Sequence, residues 1–329
     1  MVFHMNVSPL ALETSSQRLT AIWIVVSFVS VASVAVAPIA AFVLMISAFG
    51  LPHVLYELRY VDERFSARLK PAPLAAIGAL VALIAAARIA NGMHILMGDA
   101  FLLIELGLGA ALALTATALM QRHKALGALI GSAFALGAIF APIPTFLIWA
   151  WLHNLTPLGF VAEITEGEER RRWLLMLSIP FFVLPALVAT GVFNDIANAL
   201  FHIAELQWTS MFGAGDKPLL SFLPPDSLDL NLFSAAVVAQ SMHYVAVIVL
   251  LPQLLRAKQG QAAPTIVPWP SWPIFAVCIA AIAAVAFGIY AVSYTDARAA
   301  YGVAAAIHAW IELPILLLAI GQGFTSARK

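Results

Sequence analysis

Residues 125–164 read ALGALIGSAFALGAIFAPIPTFLIWAWLHNLTPLGFVAEI, with no charge before Glu163. A helix needs roughly 20 apolar residues to cross the hydrocarbon core of a bilayer. The stretch is therefore either one over-long helix ending at Trp151 or two helices broken at Pro142 and Pro144. The charges of the loops on either side decide between them, because cytoplasmic loops collect the excess of Lys and Arg. With one helix the basic residues divide evenly. With two, one side collects Arg59, Arg64, Arg68, Lys70, Arg122, Lys124, Arg170, Arg171, Arg172, Arg256, Lys258, Arg328 and Lys329, and the other keeps Arg18, Lys217 and Arg298. The two-helix reading follows. It predicts an all-α, polytopic transmembrane helix bundle of about nine spans, with the N-terminus outside and the C-terminus cytoplasmic.

Composition agrees. Of 329 residues, 62% are hydrophobic and 10% charged, too little charge to cover a soluble domain of this size. The net charge is +0, which gives no footprint for a nucleic-acid partner, and the single cysteine, Cys278, cannot form an internal disulfide. The further spans are 73–97, 100–120, 173–192, 233–254, 273–292 and 299–322. The first apolar segment, from Ala21 to about Leu58, is expected to cross once from about Ala35, with Ile22–Val31 at the interface or extending the helix. The start of the chain, Met1 to Gln17, has no basic region of the kind that opens a cleavable signal. The whole chain, 1–329, reads as a single transmembrane domain, and its Ala-rich, Lys-poor composition suggests a bacterial inner membrane.

The outer loop 193–232 carries apolar residues at helical spacing (Phe193, Ile196, Ala197, Leu200, Phe201, Ala204, Trp208 and Met211) opposite Asn194, Asp195, Asn198, His202 and Glu205. That pattern predicts an amphipathic helix on the membrane surface. The Pro-rich piece from Leu219 to Asp229 then leads back over the bundle.

Ionisable side chains inside a bilayer cost free energy, so each needs a reason. His153, His243 and His308 each stand nine or ten residues from the outer end of their helices, hence near the midplane. His53 is expected deeper, towards the cytoplasmic end of the first span. Glu57 follows His53, and Glu312 follows His308, by one helical turn, which puts each pair on one face. Such a carboxylate is a ligand or a group that orients the imidazole. Neutral imidazoles in an apolar setting are natural ligands for iron, copper or zinc. The predicted metal residues are His53, His153, His243, His308 and Glu312, with Asn154 and Tyr244 beside two of them. The alternative for any one histidine is a plain hydrogen bond across a helix interface. Arg88 and Glu105, at similar depth on neighbouring spans, read as a structural ion pair, and His94, His123, His202 and His4 as interfacial, loop or tail residues. Prolines within the spans (Pro38, Pro157, Pro180, Pro185, Pro252 and Pro314) predict kinks that open space between helices.

Gly50-Leu51-Pro52-His53, with the later single histidines His153, His243 and His308, resembles the bacterial Brp/Blh-type β-carotene oxygenase family. The resemblance covers the general architecture and one short motif, and it implies a non-haem iron, Fe(II), that cleaves a carotenoid oxidatively. That family carries two histidines a turn apart on one helix. Here the same spacing joins histidine to glutamate, at His53–Glu57 and His308–Glu312. The leading expectation is a membrane metalloprotein, a non-haem iron oxygenase acting on a hydrophobic small-molecule substrate from the lipid bilayer. The alternatives are a haem-binding electron carrier, with two histidines as axial ligands, and a transporter using the same residues as a proton relay.

Overall fold

The computed structural model describes residues 9–201, 230–258 and 265–322, and among them there is no strand. The helices are α1 (Pro9–Val36), α2 (Pro38–Phe65), α3 (Pro71–Gly92), α4 (Gly98–Leu119), α5 (Lys124–Phe140), α6 (Pro142–His153) and α7 (Thr156–Ile164). They continue as α8 (Gly167–Ala189), α9 (Val192–Phe201), α10 (Leu230–Lys258), α11 (Trp272–Val292) and α12 (Tyr294–Gln322). Eight of these hold stretches long and apolar enough to cross a membrane, with α5 as a shorter apolar helix. The chain is an all-α polytopic bundle.

Proline sets several of the starts. Pro38, Pro71 and Pro142 each stand in the first turn of a helix, where a missing N–H costs nothing and a fixed φ suits the helix. Two prolines act differently. Pro185 and Pro252 cannot donate to the carbonyls four residues back, at Phe181 and Ile248, and both carbonyls lie in one-turn π segments, Ile179–Val183 and Ala246–Leu250. The helix widens where its donor is absent.

The stretch 125–164 divides at Ala141, as the loop charges required, and divides again at Asn154–Leu155. The first apolar segment departs from expectation. Ala37, at φ −151°, ends one helix and Pro38 begins the next, so the segment is two helices where one crossing was expected. These are antiparallel. Leu19 and Trp23, early in α1, share a cluster with Leu177, Phe181 and Leu250, while Val31 and Val34, late in α1, join another with Val188 and Phe233. On α2 the order reverses: Phe42 and Val43, early in the helix, belong to the cluster of Val31 and Val34, and Tyr60 and Phe65, late in it, to that of Leu19 and Trp23. Leu19 therefore lies in the same cluster as Ala319 of α12. The segment's uniform apolarity hid the corner, since a crossing helix and a hairpin of two crossing helices bury the same residue types.

The same end gathers the basic residues. Arg64 and Arg68 pair with Glu163, Lys258 pairs with Glu169, and the Arg122 N–H donates to the Gly321 carbonyl. Asp62 accepts from the backbone N–H groups of Ile266 and Val267 and from Trp269 Nε1, pinning the approach to α11. Of the stretch 193–211, residues to 201 are helical as α9, with Ala197 buried and Ile196 and Leu200 exposed. Its predicted continuation through His202, Glu205, Trp208 and Met211, and the Pro-rich piece after it, lie outside the described residues.

Candidate metal centre

Four helices bring one histidine each to a common point: His53 from α2, His153 from the end of α6, His243 from α10 and His308 from α12. One ring nitrogen from each lies within 4.8 Å of all the others. His53 Nε2 is 3.1 Å from His308 Nε2, and His308 Nε2 is 3.0 Å from His153 Nε2. His53, His243 and His308 are buried, and the His153 side chain retains 12% exposure, so the cluster comes nearest to its surroundings on the α6 side. The sequence-derived expectation that His53 lies deeper than the others is corrected. Its helix runs from Pro38 to Phe65, not to Leu58, because Asp62 and Arg64 are paired and Tyr60, Val61 and Phe65 are buried; His53 is thus mid-helix.

The other ring nitrogen fixes each imidazole. His53 Nδ1 lies 3.2 Å from the Phe49 carbonyl and His308 Nδ1 lies 3.4 Å from the Ala304 carbonyl, each one turn back on its own helix. A carbonyl only accepts, so in the tautomer that uses these contacts Nδ1 carries the proton and Nε2 presents a lone pair. His153 Nδ1 stands 2.8 Å from Glu312 Oε2, off the line of a straight hydrogen bond.

The two glutamates sit differently although their spacing to a histidine is the same. Glu57 Oε2 is 3.4 Å from His243 Nε2 and 3.9 Å from His308 Nε2, on the face where the Nε2 atoms converge. Glu312 approaches the far nitrogen of His153. Both carboxyl groups are fully buried, and they lie within interaction range of each other, with Thr156 beside Glu312. Buried charge of this kind needs a compensating partner.

Local backbone explains the presentation. His153 closes α6 at a break, with Thr156 Oγ1 donating to its carbonyl and Pro157 in the first turn of α7. His243 precedes the π segment of α10 by three residues. Tyr244 stacks on His53 with ring centroids 3.9 Å apart, and its hydroxyl joins Gln240 Nε2 at 2.7 Å and the Tyr301 hydroxyl at 3.0 Å. Trp149 lies 6.3 Å from His153 and stacks on Trp310. Asn154 turns away: its Nδ2 donates to the Ala150 carbonyl.

The remaining polar residues fall where their types suggested. Arg88 donates to Glu105 Oε1 at 2.6 Å, and Trp310 Nε1 donates to the same oxygen at 2.9 Å, an ion pair that also anchors the indole beside Trp149. His94 and His123 are exposed turn residues at positive φ. Trp149, Gln240 and Tyr301 were not singled out by sequence, since an aromatic or amide in a span carries no spacing signal of its own. No family model matches the chain, and no curated protein or solved structure matches it either.

Proposed function

We propose that this protein is a membrane-embedded non-haem iron oxidoreductase, an oxygenase that acts on a lipid-soluble, carotenoid-like substrate within a bacterial inner membrane. One observation carries the reading. The Nε2 atoms of His53 and His308 stand 3.1 Å apart with His153 Nε2 3.0 Å from the second, and in the tautomer whose Nδ1 protons meet the Phe49 and Ala304 carbonyls the Nε2 lone pairs of His53 and His308 face each other. Lone pairs at that separation repel unless a cation lies among them or one nitrogen carries a proton. Nitrogens about 3.0 Å apart are also what two neighbouring ligands at right angles and about 2.1 Å from a metal would show.

His53, His153, His243 and His308 would hold the metal, and Glu57 would complete the set. Glu57 supplies negative charge that four neutral imidazoles lack, and its oxygen already stands among the Nε2 atoms. Glu312 would act through His153 by holding its Nδ1. Bound iron(II) would supply the one-electron chemistry that makes dioxygen reactive towards a closed-shell polyene. Tyr244 keeps the His53 ring in place by stacking on it. The surrounding apolar helices exclude water. Rings crowded at centroid distances of 4.7 Å, as in the His53–His308 and His153–His308 pairs, leave no slot for a porphyrin, which argues against haem.

A second reading draws on the same contacts. The row His53–His308–His153–Glu312 would serve a transporter as a proton path. Elemental analysis and an optical spectrum of detergent-purified protein separate the two, beside a His153→Ala/His243→Ala variant. Near-stoichiometric iron without a haem band, lost in the variant, is the expected result. Protein that binds no metal even after anaerobic reconstitution with iron(II) would overturn the oxygenase reading and leave the relay.

A further inference from the structure

At the basic end, two guanidinium groups share one indole. Arg59 of α2 lies over the Trp272 ring, its Cζ 3.7 Å from that centroid and 4.6 Å from the centroid of Phe275. Arg256, near the end of α10, stands 5.4 Å from the same Trp272 centroid. Tyr56, three residues before Arg59, lies nearly parallel to Trp272 at 6.3 Å and edge-on to Phe275 at 5.1 Å. Both guanidiniums are within electrostatic range of its hydroxyl.

The two charges are unequally answered. Arg59 is buried, and Glu63 accepts from its Nε at 2.6 Å. Arg256 is exposed and forms no ion pair among the described residues; its Nε donates to the Pro252 carbonyl, one turn back. The neighbouring acids are committed elsewhere: Asp62 to Ile266, Val267 and Trp269, and Glu169 to Lys258. Residues 259–264, which follow α10, read QGQAAP and contain no carboxylate side chain. Like charges gathered on one ring repel, and an anion beside them relieves the repulsion. The level of the site identifies the anion. Trp272 opens α11, a span without a charged residue, on which Ile274 and Val277 are exposed to the bilayer. Tryptophan at the end of a span marks the head-group level, and basic pockets between spans bind anionic head groups there.

The geometry points to an anionic-lipid site: the phosphate of an anionic phospholipid accepts hydrogen bonds from the Arg256 guanidinium and the Tyr56 hydroxyl beside Trp272. Arg59, stacked on the indole, adds the second positive charge, and the acyl chains lie along the exposed apolar face of α11. Arginine suits this task, since its planar group offers two parallel N–H donors to a phosphate where lysine offers a point charge. The site goes beyond the proposed oxygenase reading and stands whether or not the histidines hold iron.

The test is lipid retention by the purified full chain, read by native mass spectrometry in detergent carrying equal amounts of phosphatidylglycerol and phosphatidylcholine with the same acyl chains. The parent protein is expected to keep phosphatidylglycerol preferentially. Arg256→Gln is expected to weaken that retention about fivefold or more. Lys124→Gln, which removes one exposed positive charge from the same end, away from Trp272, is expected to change it by less than about twofold. Tyr56→Phe leaves the net charge unchanged and is expected to weaken retention as well, so it carries the test alone if Arg256→Gln lowers the midpoint of thermal unfolding. Equal retention of the two lipids by the parent, equal losses in Arg256→Gln and Lys124→Gln, or an unaltered preference in Tyr56→Phe would overturn the site. Any of these leaves the rings and guanidiniums as a clasp between α2, α10 and α11. Displacement of phosphatidylglycerol by inorganic phosphate alone would assign the contacts to a free anion and overturn the lipid as occupant.

Discussion

Glu57 and Glu312 each follow a histidine by one turn, and position along the helix does not tell them apart. Their surroundings do. Glu57 reaches the converging Nε2 atoms of His243 and His308, and Glu312 reaches the outer nitrogen of His153. Replacing a ligand costs more than replacing the group that orients one, for which a loss of about 10–100-fold in metal affinity is typical. In competition with a chelator, Glu57→Gln is expected to lose iron more severely than Glu312→Gln. The reverse order would exchange their roles. Tyr244→Leu removes the ring stacked on His53 without touching a ligand. It is expected to leave iron stoichiometry unchanged and to broaden the electron paramagnetic resonance of a nitric oxide adduct, as the imidazole gains freedom. An unaltered signal would show that Tyr244 does not position the ring.

At the scale of the helix, close packing holds α12 where it must present His308. Gly109 of α4 lies against the Trp310 ring, and a Cβ there would overlap it. The indole cannot easily yield, being stacked on Trp149 and donating to Glu105, which is itself tied to Arg88. Gly109→Ala is therefore expected to destabilise the protein by about 1–3 kcal/mol, the usual cost of overpacking. A lower midpoint of thermal unfolding in detergent checks this, and an unchanged midpoint would mean that the indole moves freely. The Asp62 clamp is the corresponding device at the basic end. Asp62→Ala strips the acceptors from Ile266, Val267 and Trp269 Nε1, and limited proteolysis is expected to cut the segment before α11 faster than in the parent.

For the whole molecule, the corner at Ala37 has the widest effect. It adds a candidate span and brings Leu19 to the end of the bundle that holds Ala319, where Arg64, Arg68, Arg122 and Lys258 also gather. If basic loops face the cytoplasm, both ends of the described chain open on that side. Reporter domains fused before α1 and after α12 are then expected to be active in the same compartment. Activity on opposite faces would restore a single N-terminal crossing.

Composition, span lengths and loop charge were enough to establish an all-helical membrane protein and to break 125–164 at Pro142, because the bilayer imposes length and polarity on every crossing segment. The single histidines were legible as candidates for the same reason, since a polar group in hydrocarbon stands out without any partner in view. What sequence did not contain was how the crossings face one another. The depth of His53 depended on where α2 ends, and that depended on Asp62 and Arg64 finding partners more than ninety positions away. Which histidine nitrogen each of Glu57 and Glu312 reaches, and the gathering of four lone histidines on one point, follow from helix rotation and packing. Those are set by contacts between residues far apart in the chain, and only the tertiary structure decides them.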